Sequence, residues 1–263
     1  MENPLVSVNI ATYNRAPLLA RCLDSVLAQN YENMEIIVVN DASSDNTVEV
    51  VEEYQQNDSR IELINHEENK GLSATRNTAY RISKGSLIAF MDDDDEWTDN
   101  QKIKKQVQIF DQSDEDLGII CSGVLLIDHY GEKRKKIIEE PRDLKSHILT
   151  RNGIIYSPTV MTRKSIIEKA GGFDDNLSRG VDSDYYRRCI VRHNYKVHFM
   201  PEVTTAIHEY GDDRITPFMG FKGRMNIIIA NGYLIYKYFD QYLFYPKPLF
   251  MRIKTIFRTC IKP

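Results

Sequence analysis

Residues Ser86 to Met91 form an apolar run as long as one buried strand, and it ends on Asp92, Asp93, Asp94 and Asp95, followed by Glu96 and Trp97. A strand apolar on both faces belongs in a sheet covered on both sides, so this run predicts a strand whose charged end emerges at the sheet rim. Four adjacent carboxylates repel one another unless a cation sits among them, and bare carboxylates cannot hold a phosphate. An oxygen-only donor set suits Mg²⁺ or Mn²⁺ carried on the phosphates of a nucleotide. The same residues also fit a solvated acidic turn that caps the next helix, because Thr98-Asp99-Asn100-Gln101 has capping-box spacing.

The chain before this run alternates strands with helices. Val6 to Ala11 reads as a strand, and Pro17 opens a helix with Leu18, Leu19, Cys22, Leu23, Val26 and Leu27 along one face. Glu35 to Val39 is a second strand, ending in the turn-and-cap cluster Asn40 to Ser44 before a helix with Val48, Val51 and Tyr54 inward. Ile61 to Ile64 is a third strand, followed by Asn69-Lys70-Gly71-Leu72 and a helix through Arg81; beyond the aspartates, Asp99 to Phe110 is helical. This order predicts an α/β fold with a mostly parallel central sheet flanked by helices, and ligands in such sheets bind beyond the carboxyl ends of the strands. Asn14, Asp41 and Asp92 fall on that one rim.

With 263 residues, 42% hydrophobic and 27% charged, the chain can bury a large core. No basic leader precedes an apolar segment, and no uninterrupted apolar stretch of about 18 residues occurs, so a cytoplasmic protein without a membrane-spanning helix is expected. Cys22, Cys121, Cys189 and Cys260 are widely spaced and read as reduced packing residues. The net charge of −4 hides an asymmetry: residues 214–263 carry nine Lys or Arg against the single acid Asp240. A basic tail hangs on an acidic body. That body, and the lack of any zinc-finger, RNP or helix-turn-helix pattern, argue against nucleic acid as a partner.

Four segments, Ser7 to Arg15, Ile36 to Asp45, Asn69 to Asn77 and Phe90 to Asp95, together resemble successive motifs of the family 2 glycosyltransferases with the GT-A fold. The resemblance covers roughly residues 5 to 210. It implies that Asp41 binds the nucleotide base, with Thr12, Tyr13 and Asn14 lining that pocket. The chemistry agrees, since a carboxylate accepts from a uracil imide N–H and an aromatic ring offers a stacking wall. Asp41 could instead cap the helix that follows. Arg76 resembles the basic residue near the diphosphate, or is a solvent-facing helix arginine. Alignment of the acidic run puts Asp92 near the ribose and metal, Asp93 on the nucleotide side, and Asp94 on the metal, with Asp95 an alternative to Asp94.

Further on, Leu117 to Leu126 reads as a strand, with a hairpin turn at Tyr130 to Lys133. Arg179 to Arg188 resembles the family's catalytic helix start, where Glu-Asp is usual. Here Val181 replaces the glutamate while Asp182, Asp184 and Arg188 keep their places. Asp182 is therefore the implied catalytic base, or only a helix cap. His208, after the strand-like run Val203 to Ile207, stands where these enzymes often offer a histidine to the metal.

The resemblance implies an inverting, Mn²⁺- or Mg²⁺-dependent transferase moving a sugar from a UDP-sugar to the hydroxyl of a glycan or lipid-linked saccharide during assembly of a cell-surface glycan. Residues 1–213 would be the catalytic domain, with a nucleotide-sugar half to about 112 and an acceptor half from 113; residues 214–263 would be a helical basic appendage. Rival readings are a non-catalytic nucleotide-sugar or carbohydrate-binding relative, and a sugar-1-phosphate nucleotidylyltransferase, although Ala11 to Arg15 lacks the glycines of that fold's phosphate loop. Within 246–263, Leu249, Phe250, Ile253, Ile256, Phe257, Cys260 and Ile261 share an arc of about 140° at helical spacing, opposite Arg252, Lys254, Arg258 and Lys262. With Pro246 and Pro248 expected to let this segment leave the body, it predicts a peripheral membrane contact.

Overall fold

The computed structural model describes residues 3–150, 153–177, 179–209 and 221–261. Strands β1 (Val6–Thr12), β2 (Met34–Asn40), β3 (Ile61–Asn65) and β4 (Leu87–Asp92) alternate with helices α1 (Ala16–Leu27), α2 (Thr47–Asn57) and α3 (Leu72–Ile82). All four strands are parallel, and their register aligns Thr12 with Asn40, Ala11 with Asp92, and Asn40 with Asn65. The loops carrying Asn14, Asp41 and the aspartate run therefore leave the sheet along one rim.

The expected parallel character holds on this side of β4. On its other side β4 meets β8 (Met161–Arg163) antiparallel, and the sheet continues as β6 (Leu117–Ile127), β9 (Lys196–His208) and β5 (Glu96–Trp97). The β6 and β9 strands are parallel, whereas β5 and the hairpin strand β7 (Lys133–Lys136) are antiparallel to their neighbours. The sheet is thus mixed: the parallel pairings of β1 to β4 give way to antiparallel ones at β8, β7 and β5.

Along β4 the side chains alternate between two cores. Leu87, Ala89 and Met91 join α1 and Ile103, Val107 and Phe110 of α4 (Lys102–Asp111); Ile88 and Phe90 face Val181, Tyr185, Ile166 and Tyr238. The second core is covered by α5 (Leu144–Thr150), α6 (Lys164–Ala170), α7 (Val181–Arg187) and the C-terminal helices α8 (Phe221–Lys237), α9 (Phe239–Phe244) and α10 (Pro246–Ile261). Cys22, Cys121 and Cys189 are buried free thiols, and Cys260 is exposed. Among the described residues no helix is long and apolar enough to cross a membrane.

Two expectations about the tail need correction. Pro246 and Pro248 do not release the segment: they occupy the first turn of α10, where backbone N–H groups have no helical partner to lose, and α10 packs back on α8 and α5. Nor does Arg252 lie on a solvated face. It is buried at 5% exposure, its Nε donating 2.9 Å to the Leu149 carbonyl and its Nη1 3.1 Å to Asn231 Oδ1. The last carbonyls of α5 need donors, and Arg252 supplies one.

Candidate active site

The loops after β1 and β2 clasp each other. Asn14 adopts a left-handed φ of 53°, and its N–H donates to Ser43 Oγ (2.9 Å) while its Oδ1 accepts from the Ser44 N–H (2.7 Å). This leaves the Tyr13 ring 46% exposed at the rim and Thr12 buried beneath it, with its side chain against Asp93. Asp41 is buried. His66 Nδ1 (2.8 Å) and the Lys70 N–H (2.9 Å) donate to Oδ1, and the Gly71 N–H (2.8 Å) donates to Oδ2. Burial opposes ionisation of Asp41, but these donors hold its carboxyl below the ordinary range. Asp41 therefore does not cap α2, whose first turn takes its side-chain acceptor from Asp45. It anchors the turn into α3 and keeps about one acceptor position of four for a ligand.

The aspartate run alternates in exposure. Asp93 and Asp95 are each 4% exposed, whereas the Asp92 and Asp94 side chains retain 33% and 31%. Asp95 turns inward because the His208 N–H donates to its Oδ1 at 3.0 Å. Burial and the charges of Asp92 and Asp94 push the Asp95 carboxyl well above the usual range, and burial pushes Asp93 up to about 6 despite the nearby Arg15 charge. Arg15 Nη1 reaches Asp93 at 3.0 Å and Asp94 at 2.9 Å, and Arg21 donates to the Asp94 carbonyl at 2.6 Å. The run is a partly exposed pair of carboxylates, Asp92 and Asp94, set on a buried pair, with Arg15 and Arg21 against it.

Arg76 is not solvent-facing. It is 5% exposed on α3, its Nη2 lies 2.5 Å from Asp92 Oδ1, and its Nη1 contacts Asp182 Oδ1. Asp182 opens α7 after Gly180, which takes the left-handed φ of 67° that glycine tolerates. The preceding loop is held to α3 by Asn77, which accepts from the Phe173 N–H and donates to the Phe173 carbonyl. Gly172 (φ 70°) makes this approach feasible, since a Cβ there would come within 2.7 Å of Asn77 Oδ1. One guanidinium thus joins a carboxylate at the end of β4 to a carboxylate at the start of α7.

Residues 7–171 match the family described as Glycosyl transferase family 2. The glycosyltransferase MJ1057 of Methanocaldococcus jannaschii, itself uncharacterized, is 31% identical over 207 residues, which span 77% of this chain and 70% of that protein. The chain belongs to glycosyltransferase family 2. The Escherichia coli UDP-Glc:alpha-D-GlcNAc-diphosphoundecaprenol beta-1,3-glucosyltransferase WfgD is 41% identical over 109 residues, 41% of this chain and 42% of that one. Among solved structures, the mannosyltransferase PcManGT of Pyrobaculum calidifontis, in complex with GDP-Man and Mn²⁺, superposes with a TM-score of 0.65 at 21% identity, covering 98% of this chain and 69% of its own. The family 2 fold seen here is of the GT-A type.

Within this family 2 chain the rim gathers Thr12, Tyr13, Asn14, Asp41, Arg76, Asp92, Asp93, Asp94 and Asp182. His208 also adjoins the run, but its Nε2 lies 3.1 Å from Glu96 Oε1, and burial together with the Arg21 charge lowers its pKa. Among the described residues no three His, Cys, Asp or Glu side chains converge as a preassembled metal cluster. The sequence reading gave no part to Arg15, Arg21 or His66. Arg15 ends the first motif and could have been found there; His66 and Arg21 carry no local signal, since their partners lie 25 and 73 residues away.

Proposed function

We propose that the chain transfers a sugar from a nucleotide-sugar, a UDP-sugar, to an acceptor hydroxyl with inversion at the anomeric carbon, in assembly of a cell-surface glycan. The observation that carries this reading is the Asp92–Arg76–Asp182 contact, which brings a donor-side carboxylate and a base candidate to one point beyond the carboxyl end of β4. Tyr13 offers the base a stacking face and Asp41 an acceptor for an imide N–H. Arg76 lies where it can turn a guanidinium N–H to a diphosphate oxygen. Asp182, 30% exposed, takes the proton from the acceptor hydroxyl as that oxygen attacks and the nucleoside diphosphate departs.

Two partly exposed carboxylates of hard oxygen character, Asp92 and Asp94, whose charges add to burial in pushing Asp95 above its usual range, fit Mg²⁺ or Mn²⁺. Asp94, with Asp92 and His208, would hold the ion, which when bound supplies charge neutralisation for the departing diphosphate. PcManGT with Mn²⁺ and a donor supports the metal, and WfgD supports UDP.

In this reading residues 1–213 are the catalytic domain and 214–263 the appendage, and the enzyme works in the cytoplasm, peripheral on the membrane. The outer face of α10 supports that contact. Phe250, Ile253 and Phe257 are 64%, 50% and 65% exposed, and Lys254 and Arg258 flank them. WfgD's diphosphoundecaprenol acceptor supports a lipid-linked saccharide. A panel of UDP- and GDP-sugars scored by thermal shift with Mn²⁺, followed by transfer assays on the stabilising donor, tests the reading. A UDP-sugar should raise the Tm in a saturable way, and no shift with any donor would refute it.

A further inference from the structure

The structure assigns Lys237, the last residue of α8, as a positioning residue that holds the base-bearing turn of α7 from the side opposite Arg76. This rests on the reading of Asp182 as the base. Asp184 lies one residue beyond Ser183 on the same turn, fully buried, and its N–H bonds the Gly180 carbonyl at 2.9 Å. A buried carboxylate keeps its charge only with partners. Two of its three side-chain partners come from the C-terminal appendage: Lys237 Nζ at 2.9 Å and Tyr238 OH at 2.8 Å, with Arg188 Nε at 2.9 Å from α7's own continuation.

Lys237 also contacts Asp174 Oδ2, which accepts from Tyr233 OH at 2.8 Å. The Asp174 carbonyl accepts from Ser73 Oγ (3.0 Å) on α3, the helix that carries Arg76. Lys237 therefore closes a ring that runs from α3 through the Asp174 loop and α8 to α7. Within that ring Asp182 faces Arg76 while Asp184, two positions on, is pinned by Lys237. Shifting this turn by about 1 Å is enough to cost a base much of its effect.

The test compares Lys237→Met, Lys237→Arg, Asp182→Asn and the Lys237→Met/Asp182→Asn double variant in full-length enzyme, with circular dichroism and thermal melts as fold controls. Lys237→Met is expected to lower kcat about tenfold or more while donor KM stays within about twofold, and Lys237→Arg to recover most of the loss. In the Asp182→Asn background, Lys237→Met should cost nothing further, because its effect runs through the base. An unchanged kcat in Lys237→Met, or a full multiplicative loss in the double variant, overturns the inference while leaving the base assignment standing. Full turnover in Asp182→Asn overturns the base assignment and this inference with it. If Lys237→Met does not fold, Tyr238→Phe, which removes one hydroxyl, replaces it: a kcat loss suppressed by Asp182→Asn supports the inference, and wild-type kcat overturns it.

Discussion

Arg76 and Asp182 stand 106 positions apart in the chain and are in direct ionic contact, with Nη1 of the first against Oδ1 of the second. The same guanidinium reaches Asp92 at 2.5 Å, so the two carboxylates assigned to opposite halves of the reaction share one positive charge. Replacing Arg76 by Met leaves them facing each other without a counter-charge. Transfer should fall by about 10²-fold or more in kcat/KM, and the thermal midpoint should drop in the absence of donor. Wild-type kinetics in that variant would show that the contact has no part in turnover.

The alternation of exposure in the aspartate run predicts unequal effects along it. Asp94→Ala should abolish transfer with the fold intact, and EDTA should do the same to the wild type, with activity returning on addition of Mn²⁺. Asp95→Asn keeps an oxygen for the His208 N–H and should act mainly on the melting temperature. Full transfer in excess EDTA sinks the metal assignment, and activity surviving in Asp94→Ala but lost in Asp95→Asn moves the ligand to Asp95.

Lys102 sets a pH dependence of stability. Burial, partly offset by Asp99, lowers its pKa from 10.5 to about 7; its Nζ sits 4.2 Å from the Trp97 ring centre and 2.9 Å from Gln106 Oε1. Between these two values the unfolded chain holds a proton that the folded chain has released. Unfolding takes up a proton there, and stability rises with pH through the window and is flat in this contribution below about 7. Denaturant titrations at pH 6 to 9.5 should show wild-type stability climbing relative to Lys102→Met, and parallel curves for the two proteins would rule the effect out.

The outer face of α10 should bind anionic membranes. Each basic residue near such a surface contributes about 1 kcal/mol, and exposed aromatics add apolar burial. Sedimentation with phosphatidylglycerol vesicles should pull down the intact protein at low salt and less of it at high salt. Phe250→Glu with Phe257→Glu should release it without changing the melting temperature, since both side chains are more than half exposed. Equal binding after that change, or none by the intact protein, is the contrary result.

Apolar period and turn chemistry were sufficient for the first half of the fold: β1 to β4 and the helices between them fall within about two residues of the runs read from the sequence, because the strands are short continuous apolar runs and the helices repeat their apolar residues every three or four positions. Motif order was likewise sufficient for the family. Local spacing could not decide what depends on contacts between distant segments. It left Asp94 and Asp95 as alternative metal ligands, and could not foresee that a backbone N–H on β9, 113 residues away, turns Asp95 inward. It offered a cap for Asp41, which instead accepts from Lys70 and Gly71. It placed Arg252 outward by helical angle, whereas packing of α10 on α5 brings its Nε to the Leu149 carbonyl. A buried charge or an orphaned carbonyl is satisfied by whichever donor the packing brings near, and that is a property of the assembled chain rather than of any stretch of it.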